Sequence, residues 1–242
     1  MKARAARTPG PAVPPSSVSS PAAPPGRYRL VVLDFDGTLA DSFGWFCGVL
    51  NGVADRYGFR RVAPEESEAL RGMSAAAIMR QLDVPLWKLP LISRHMHALM
   101  ARDIAAIRPF PGVPELLEGL ATDGVTLALL SSNSRANIQR VLGPTNAGRV
   151  AHYACGASVF GKAGRLRKLL RRVGVPAAET LCIGDELRDL EAARAVGCAF
   201  GAVAWGYTTA EALRAAGPDL LFERPGDIGS LVGCRSRPSA AP

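Results

Sequence analysis

Two acidic residues separated by one apolar residue, Asp34-Phe35-Asp36, stand at the end of the run Leu30-Val31-Val32-Leu33 and just before Gly37-Thr38-Leu39. An extended chain sends side chains alternately to its two sides, so Asp34 and Asp36 point one way and Phe35 the other, into packing. Two carboxylates this close repel, and a hard cation such as Mg²⁺, which takes one or two carboxylates together with waters and phosphate oxygens, relieves the conflict. The alternative is a plain strand end followed by an Asp-Gly turn. A second acidic stretch, Thr180-Leu181-Cys182-Ile183-Gly184-Asp185-Glu186-Leu187-Arg188-Asp189, has the same design. Asp189 lies one helical turn beyond Asp185 and shares its face. Gly-Asp at such a turn is also a common helix cap, but a second pair of acids beside the first points to chemistry.

Three further places carry groups suited to an anion. Ser131-Ser132-Asn133 ends an apolar run and offers hydroxyl and amide donors to a phosphoryl oxygen, or caps for the helix that starts at Arg135. Lys162 follows Phe160-Gly161 in a predicted loop, where a point charge can neutralise a phosphate. Arg71 precedes Gly72-Met73-Ser74 between two helical patterns, and from such a loop it can reach an anionic group of a substrate. His95 and His97, two apart on a predicted helix, point away from each other and cannot share a metal.

The elements that position these groups follow from periodicity. Continuous apolar runs ending at Leu33, at Leu130 (from Val125) and at Gly184 read as strands buried on both faces, as in a parallel sheet, and a further strand is predicted over Val150 to Cys155. Helical patterns alternate with them from Pro109 onward, including Val113 to Ala121 and a helix from Lys162 through Val173. The predicted fold is α/β, a three-layer core with a parallel sheet in which the strand ending at Asp34 is central and the one ending at Asp185 lies beside it at the topological switch point. Between these parts, Ser42 to Arg108 contains helices only: Phe43, Phe46, Val49, Leu50, Val53 and Tyr57 recur at helical spacing, Gly58 stops that helix, Pro64-Glu65-Glu66 opens another, and Leu86 to Ile107 forms one more. An all-helical segment placed directly after the acidic strand is positioned to cover it as a cap, over residues 42–108, with the core from 27–41 and 109–232.

Composition limits what else the chain does. Its 242 residues, 48% of them hydrophobic, suffice for a full core. There is neither an apolar run long enough for a bilayer nor an apolar secretory segment at the start, so a soluble, cytoplasmic protein is expected. Six of the eight net positive charges belong to the tails: Lys2, Arg4, Arg7 and Arg27, then Arg235 and Arg237. Nucleic-acid binding therefore carries little weight for the folded part. The basic residues Arg165, Arg167, Lys168, Arg171 and Arg172 form a solvated face opposite Leu166, Leu169, Leu170 and Val173. Residues 1–26 hold seven prolines and read as a disordered tail, as does 233–242. The five cysteines show no metal-type spacing, and Cys182 and Cys198, which fall in apolar runs, fit small buried hydrophobes in a reducing compartment.

Taken together, the four stretches resemble the haloacid dehalogenase superfamily of phosphatases, in particular its phosphoglycolate phosphatase-like members, over roughly residues 29–223. Asp34-Phe35-Asp36-Gly37-Thr38-Leu39 with Asp41-Ser42 is similar to the family's first motif, Ser131 (or Ser132 in the competing register) to the second, Lys162 to the third, and Gly184-Asp185 with Asp189 to the fourth. The resemblance implies an aspartyl-phosphate formed on Asp34, proton transfer by Asp36, and Mg²⁺ held by Asp34, the backbone carbonyl of Asp36 and Asp185. It further implies Lys162 and Ser131 as the charge cradle, and Asp189 as the group that orients Lys162 or a water on the metal. Glu186 either supports the metal from outside or is simply exposed. The expected substrate is a small phosphorylated metabolite. A dehalogenase does not need the second acid that is present here; a phosphomutase would retain both aspartates, and a degenerate site on an RNA- or partner-binding protein would turn nothing over.

Overall fold

A computed structural model of the chain describes residues 28–156 and 161–232; the expected tails, Cys234 and Phe160 lie outside the described residues. At its centre β1 (Leu30–Leu33) pairs in parallel with β4 (Thr126–Leu130) on one side and β6 (Thr180–Gly184) on the other. The full sheet has the order β5-β4-β1-β6-β7-β8, all parallel, with β5 at His152–Ala154, β7 at Ala199–Val203 and β8 at Leu220–Phe222. Successive strands leave β1 in opposite directions, so a crevice opens at its carboxyl end, where α/β sheets bind ligands. The side chains of Leu30, Val31, Val32 and Leu33 are all buried, which explains why this strand shows an unbroken apolar run and no alternation with polar residues.

Alternation sorts the core into two layers. Val31, Leu33 and Phe35 pack with Leu116 and Leu117 of α5 (Val113–Thr122), Ile138 of α6 (Arg135–Arg149) and Ile228 of α10 (Pro225–Val232). Leu30 and Val32 pack on the other face with Leu166 and Leu169 of α7 (Lys162–Val173), Leu190 of α8 (Leu187–Arg194) and Leu213 of α9 (Ala210–Ala215). Helix α6 starts at Arg135 as expected, and Gly143 and Pro144 break it before it runs on to Arg149. In α7, the basic face partly serves the fold: Arg165, Arg167 and Arg172 each donate to backbone carbonyls of neighbouring segments.

Between the core halves lies the helical insertion: α1 (Phe43–Tyr57), α2 (Ser67–Arg71), α3 (Ala75–Gln81) and α4 (Leu89–Arg102), with short 3₁₀ turns before α2 and on both sides of α4. Gly58 ends α1 in the left-handed conformation, φ 71°, as its type predicts. One expectation needs correction, because the insertion is joined to the core by an antiparallel pair of two-residue strands, β2 (Ala40–Asp41) and β3 (Arg108–Pro109), so Arg108 is in a strand. Of the insertion's apolar side chains, few beyond Val53, Leu70, Leu82 and Met100 are fully buried. The inner faces of its helices line a cavity rather than one another.

Candidate active site

The backbone turns sharply after β1, at Gly37 (φ 75°); Asp34 falls on the α7/α8 side of the sheet beside Lys162 and Phe35 is fully buried opposite, whereas Asp36, expected to point the same way as Asp34, faces Ser42 and Asn133 because the strand ends at Leu33 and alternation stops there. Any side chain at position 37 would collide with the Asp185 carboxylate and the Tyr207 ring, so glycine is required for packing as well as for φ. Asp34 lies at 2.9 Å from the Nζ of Lys162, and the same ammonium pairs with Asp189. Lys162 is the first residue of α7 and not part of a loop, which fixes its stem against the core and leaves only its tip at the carboxylates.

Asp185 ends its own strand beside β1 and is fully buried. It accepts hydrogen bonds from the Thr38 hydroxyl at 2.8 Å and the Tyr207 backbone N–H at 2.8 Å. Carboxylate oxygens of Asp34, Asp185 and Asp189 come within 4.8 Å of one another. Burial, followed by the charges of Glu186, Asp34 and Asp189, pushes the Asp185 carboxyl well above its usual range. Asp189 is likewise raised, to about 7, by burial against the downward pull of Lys162. Burial lowers the proton affinity of Lys162, yet Asp189 and Asp34 more than reverse this, so the ammonium stays charged. Three carboxylates this close, two of them held back from ionising, favour positive charge beyond that of Lys162. An all-oxygen donor set of this size fits a hard divalent cation such as Mg²⁺.

Asp36 is directed away from this cluster. Its two oxygens accept from the Ser42 hydroxyl at 3.0 Å and the Asn133 amide at 2.9 Å. Burial raises its pKa to about 6; the Asn133 bond opposes this, the Asp34 charge adds to it, and Ser42 and Arg188 oppose it. A carboxyl poised near 6 can give a proton and take it back at neutral pH. The helix cap that Ser131, Ser132 or Asn133 were alternatively expected to provide comes from Ser134, whose hydroxyl accepts from Asn137 N–H. Asn133 is thus left to hold Asp36, and Ser131, buried beneath it, accepts the Asn133 N–H at 3.0 Å. Ser132 lines the cavity above, with a volume of about 490 Å³, which Asp36, Asn133, Glu186 and Arg188 border from the core and Phe43, Phe46 and Met96 from the insertion.

The model of the haloacid dehalogenase-like hydrolases matches this chain over residues 31–203. The chain belongs to that family. As a haloacid dehalogenase-like hydrolase it is an enzyme, a phosphoric monoester hydrolase of phosphoglycolate phosphatase-like sequence. It is 33% identical over 205 residues to the phosphoglycolate phosphatase of Synechococcus elongatus, covering 84% of this chain and 97% of that one. With the N-acetylmuramic acid 6-phosphate phosphatase of Pseudomonas aeruginosa it shares 28% identity over 214 residues, 84% of this chain and 93% of the other. In fold the hydrolase aligns with a haloacid dehalogenase-like family protein from Streptococcus pneumoniae at a TM-score of 0.69, with 17% identity over 84% of this chain and 98% of that one. CbbY of Rhodobacter sphaeroides, solved with phosphate, aligns at 0.65, with 22% identity over 84% and 96%.

Several residues of the hydrolase take roles that sequence reasoning did not assign. Tyr207 borders the site: its hydroxyl lies 3.0 Å from that of Ser42 and its ring contacts Phe43 and Phe46. Arg71 is the last residue of α2 and does not hang free. Its Nε and Nη2 donate to the carbonyls of Tyr207 and Gly206, Nη1 pairs with Glu68, and the guanidinium sits 4.9 Å from the Phe43 ring centre. Arg71 therefore ties the insertion to the loop after β7. Glu186 pairs at 2.6 Å with Arg188, a cation that sequence reasoning passed over. His95 faces Tyr57 and Arg56 while His97 lines the cavity, so the two rings point apart as expected.

Proposed function

We propose that the enzyme is a Mg²⁺-dependent phosphatase that hydrolyses a small phosphoglycolate-like monoester through an aspartyl-phosphate on Asp34. The reading is carried by the separation of two kinds of acid. Asp34, Asp185 and Asp189 gather at Lys162, whereas Asp36 stands apart at the mouth of the cavity with its pKa raised. In the first step an Asp34 oxygen attacks phosphorus and the P–O bond to the leaving group breaks as Asp36 gives that oxygen its proton. In the second, the Asp36 carboxylate takes a proton from the water that attacks phosphorus, which releases inorganic phosphate and restores Asp34. Lys162 holds charge against the phosphoryl oxygens, with Ser131, Ser132 and Asn133 as donors at the end of β4. Mg²⁺, held by Asp34, Asp185 and the Asp36 carbonyl with Asp189 near by, supplies the positive charge that lets a carboxylate and a phosphate dianion meet. A carbon–halogen hydrolysis would leave Asp36 without a task.

Residues 42–108 act as a cap over the core of 27–41 and 109–232, and closure over the half-buried inner faces excludes water. The setting we favour is the cytoplasm: no described helix is long and apolar enough to cross a membrane, and the described cysteines Cys47, Cys155, Cys182 and Cys198 are free, as suits a reducing compartment.

The deciding assay is hydrolysis of p-nitrophenyl phosphate and phosphoglycolate with Mg²⁺ and again with EDTA. Turnover is expected only with the metal, and Mg²⁺ at a hundredfold excess over its dissociation constant stabilises the fold by about 2.7 kcal/mol in thermal melts. Hydrolysis that persists in EDTA with an unchanged melting curve sinks the reading. A pH profile separates the two duties of Asp36. Phosphoenzyme formation from phosphoglycolate, whose alkoxide must be protonated as it leaves, needs Asp36 protonated and slows above about pH 6, whereas breakdown needs it ionised and slows below that value, so steady-state turnover of that ester falls on both sides. A profile with no inflection near there in either single-turnover phase removes Asp36 from proton transfer.

A further inference from the structure

The cavity above Asp36, about 490 Å³, changes character along its length. At the core end it is polar, bordered by Asp36, Ser132, Asn133, Glu186 and Arg188. Towards the insertion its walls are largely hydrocarbon: Leu50 and Val53 of α1, Ile78 and Met79 of α3, Ile92 and Met96 of α4. All four methionines among the described residues, Met73, Met79, Met96 and Met100, line this one space. Methionine adapts its shape to what it meets and gathers on surfaces that bind varied apolar groups. Protein interiors pack to near-crystal density, and a volume of this size lies in the range of ligand pockets, so a space this large among apolar side chains calls for an occupant.

The polar groups on the border indicate what that occupant lacks. Arg71 is spent on Tyr207, Gly206 and Glu68, and Arg188 pairs with Glu186. Asn51 turns both ends of its amide to the Val62 backbone. Burial pushes the pKa of His97 below its usual value, so this ring is neutral. Among the described residues no cation on this border is left to meet a second anionic group, and apolar walls would desolvate one without compensation. We infer that the cavity receives the apolar body of the leaving alcohol, making the enzyme a phosphatase for monoesters of medium-sized hydrocarbon or aryl alcohols. The alcohol oxygen would lie at Asp36, and its carbon chain would run past Phe43 and Phe46, both packed on the Tyr207 ring, into the insertion. This rests on the phosphatase reading above and extends its substrate beyond phosphoglycolate, whose two-carbon acid leaves most of the cavity unfilled.

The test is kcat/KM for ethyl, butyl and hexyl phosphate with Mg²⁺. Their leaving alcohols are nearly equal in acidity, so differences among them report the burial of the chain and not the ease of P–O cleavage. The wild type is expected to gain about threefold for each added methylene, on the order of 100-fold from ethyl to hexyl phosphate. Ile92→Trp, which fills the cavity from α4, removes most of that gain, whereas Leu91→Ala, on the exposed side of the same helix, keeps it. A flat series in the wild type, or an undiminished gain in a folded Ile92→Trp, overturns the inference and leaves the phosphatase reading intact. So does a wild type that hydrolyses phosphoglycolate and none of the alkyl esters. A wild type inactive on these and on p-nitrophenyl phosphate overturns both. The wild-type series decides even where a variant does not fold.

Discussion

Asp34→Asn abolishes turnover, by a factor on the order of 10⁵ or more, as expected when a nucleophile is removed from a set of groups that act together. The substitution is close to isosteric, and an amide oxygen can still accept from Lys162, so the core around β1 has no reason to rearrange. What is lost is the ability to form and then break a bond to phosphorus. Asp36→Asn is the informative companion. p-Nitrophenolate leaves without protonation, so this variant still phosphorylates Asp34 but cannot activate water, and the phosphoenzyme accumulates. Intact-mass spectrometry after mixing with p-nitrophenyl phosphate detects it. The adduct is expected in Asp36→Asn, transiently in the wild type, and never in Asp34→Asn. Retention of more than about one hundredth of wild-type activity in Asp34→Asn would place the nucleophile elsewhere, because general acid–base and electrostatic effects alone are smaller than this loss.

What could be read from the chain beforehand followed local rules. Alternation along Leu30 to Phe35 put Asp34 on one side and Phe35 on the other, but it misplaced Asp36, because the strand ends at Leu33 and the backbone is already turning towards Gly37. The repeat of the same design at Gly184-Asp185 placed β6 next to β1. The parts that escaped depend on neighbours far along the chain. Two-residue strands such as Ala40–Asp41 and Arg108–Pro109 are too short to show a period, and a proline in one of them argues against a strand. Tyr207 and Arg71 meet across 136 positions, and an aromatic near a strand looks the same whether it fills a core or borders a cavity. Arg188 lies in a helix of mixed charge, where an arginine is ordinarily solvated; only the orphaned Nε sets it apart.

Lys162→Met is the substitution with the largest combined effect on stability and rate. The ammonium lies between Asp34 and Asp189, all three buried, and its loss strands two carboxylates without a counter-charge. Breaking a buried pair from one side costs about 3–5 kcal/mol, a large share of the roughly 5–15 kcal/mol that holds a domain together. The loss depends on pH in a definite direction. Asp189 holds its proton more tightly when folded, near pH 7, than a free carboxyl does, so its ionisation withdraws stability as pH rises. Lys162 offsets that cost, and its removal is felt most above about pH 7 and least in mild acid, where Asp189 takes up a proton. Mg²⁺ meets the same carboxylates, so it recovers more stability in the variant than in the wild type. Even when stabilised by metal, the variant turns over at least about 10²–10³-fold more slowly, because charge developing on the phosphoryl oxygens has lost its partner. Urea titrations at pH 6 and pH 8, with and without Mg²⁺, read all of this. Equal losses at both pH values and no extra rescue by the metal would mean that Lys162 acts as packing and not as the charge balancing these acids.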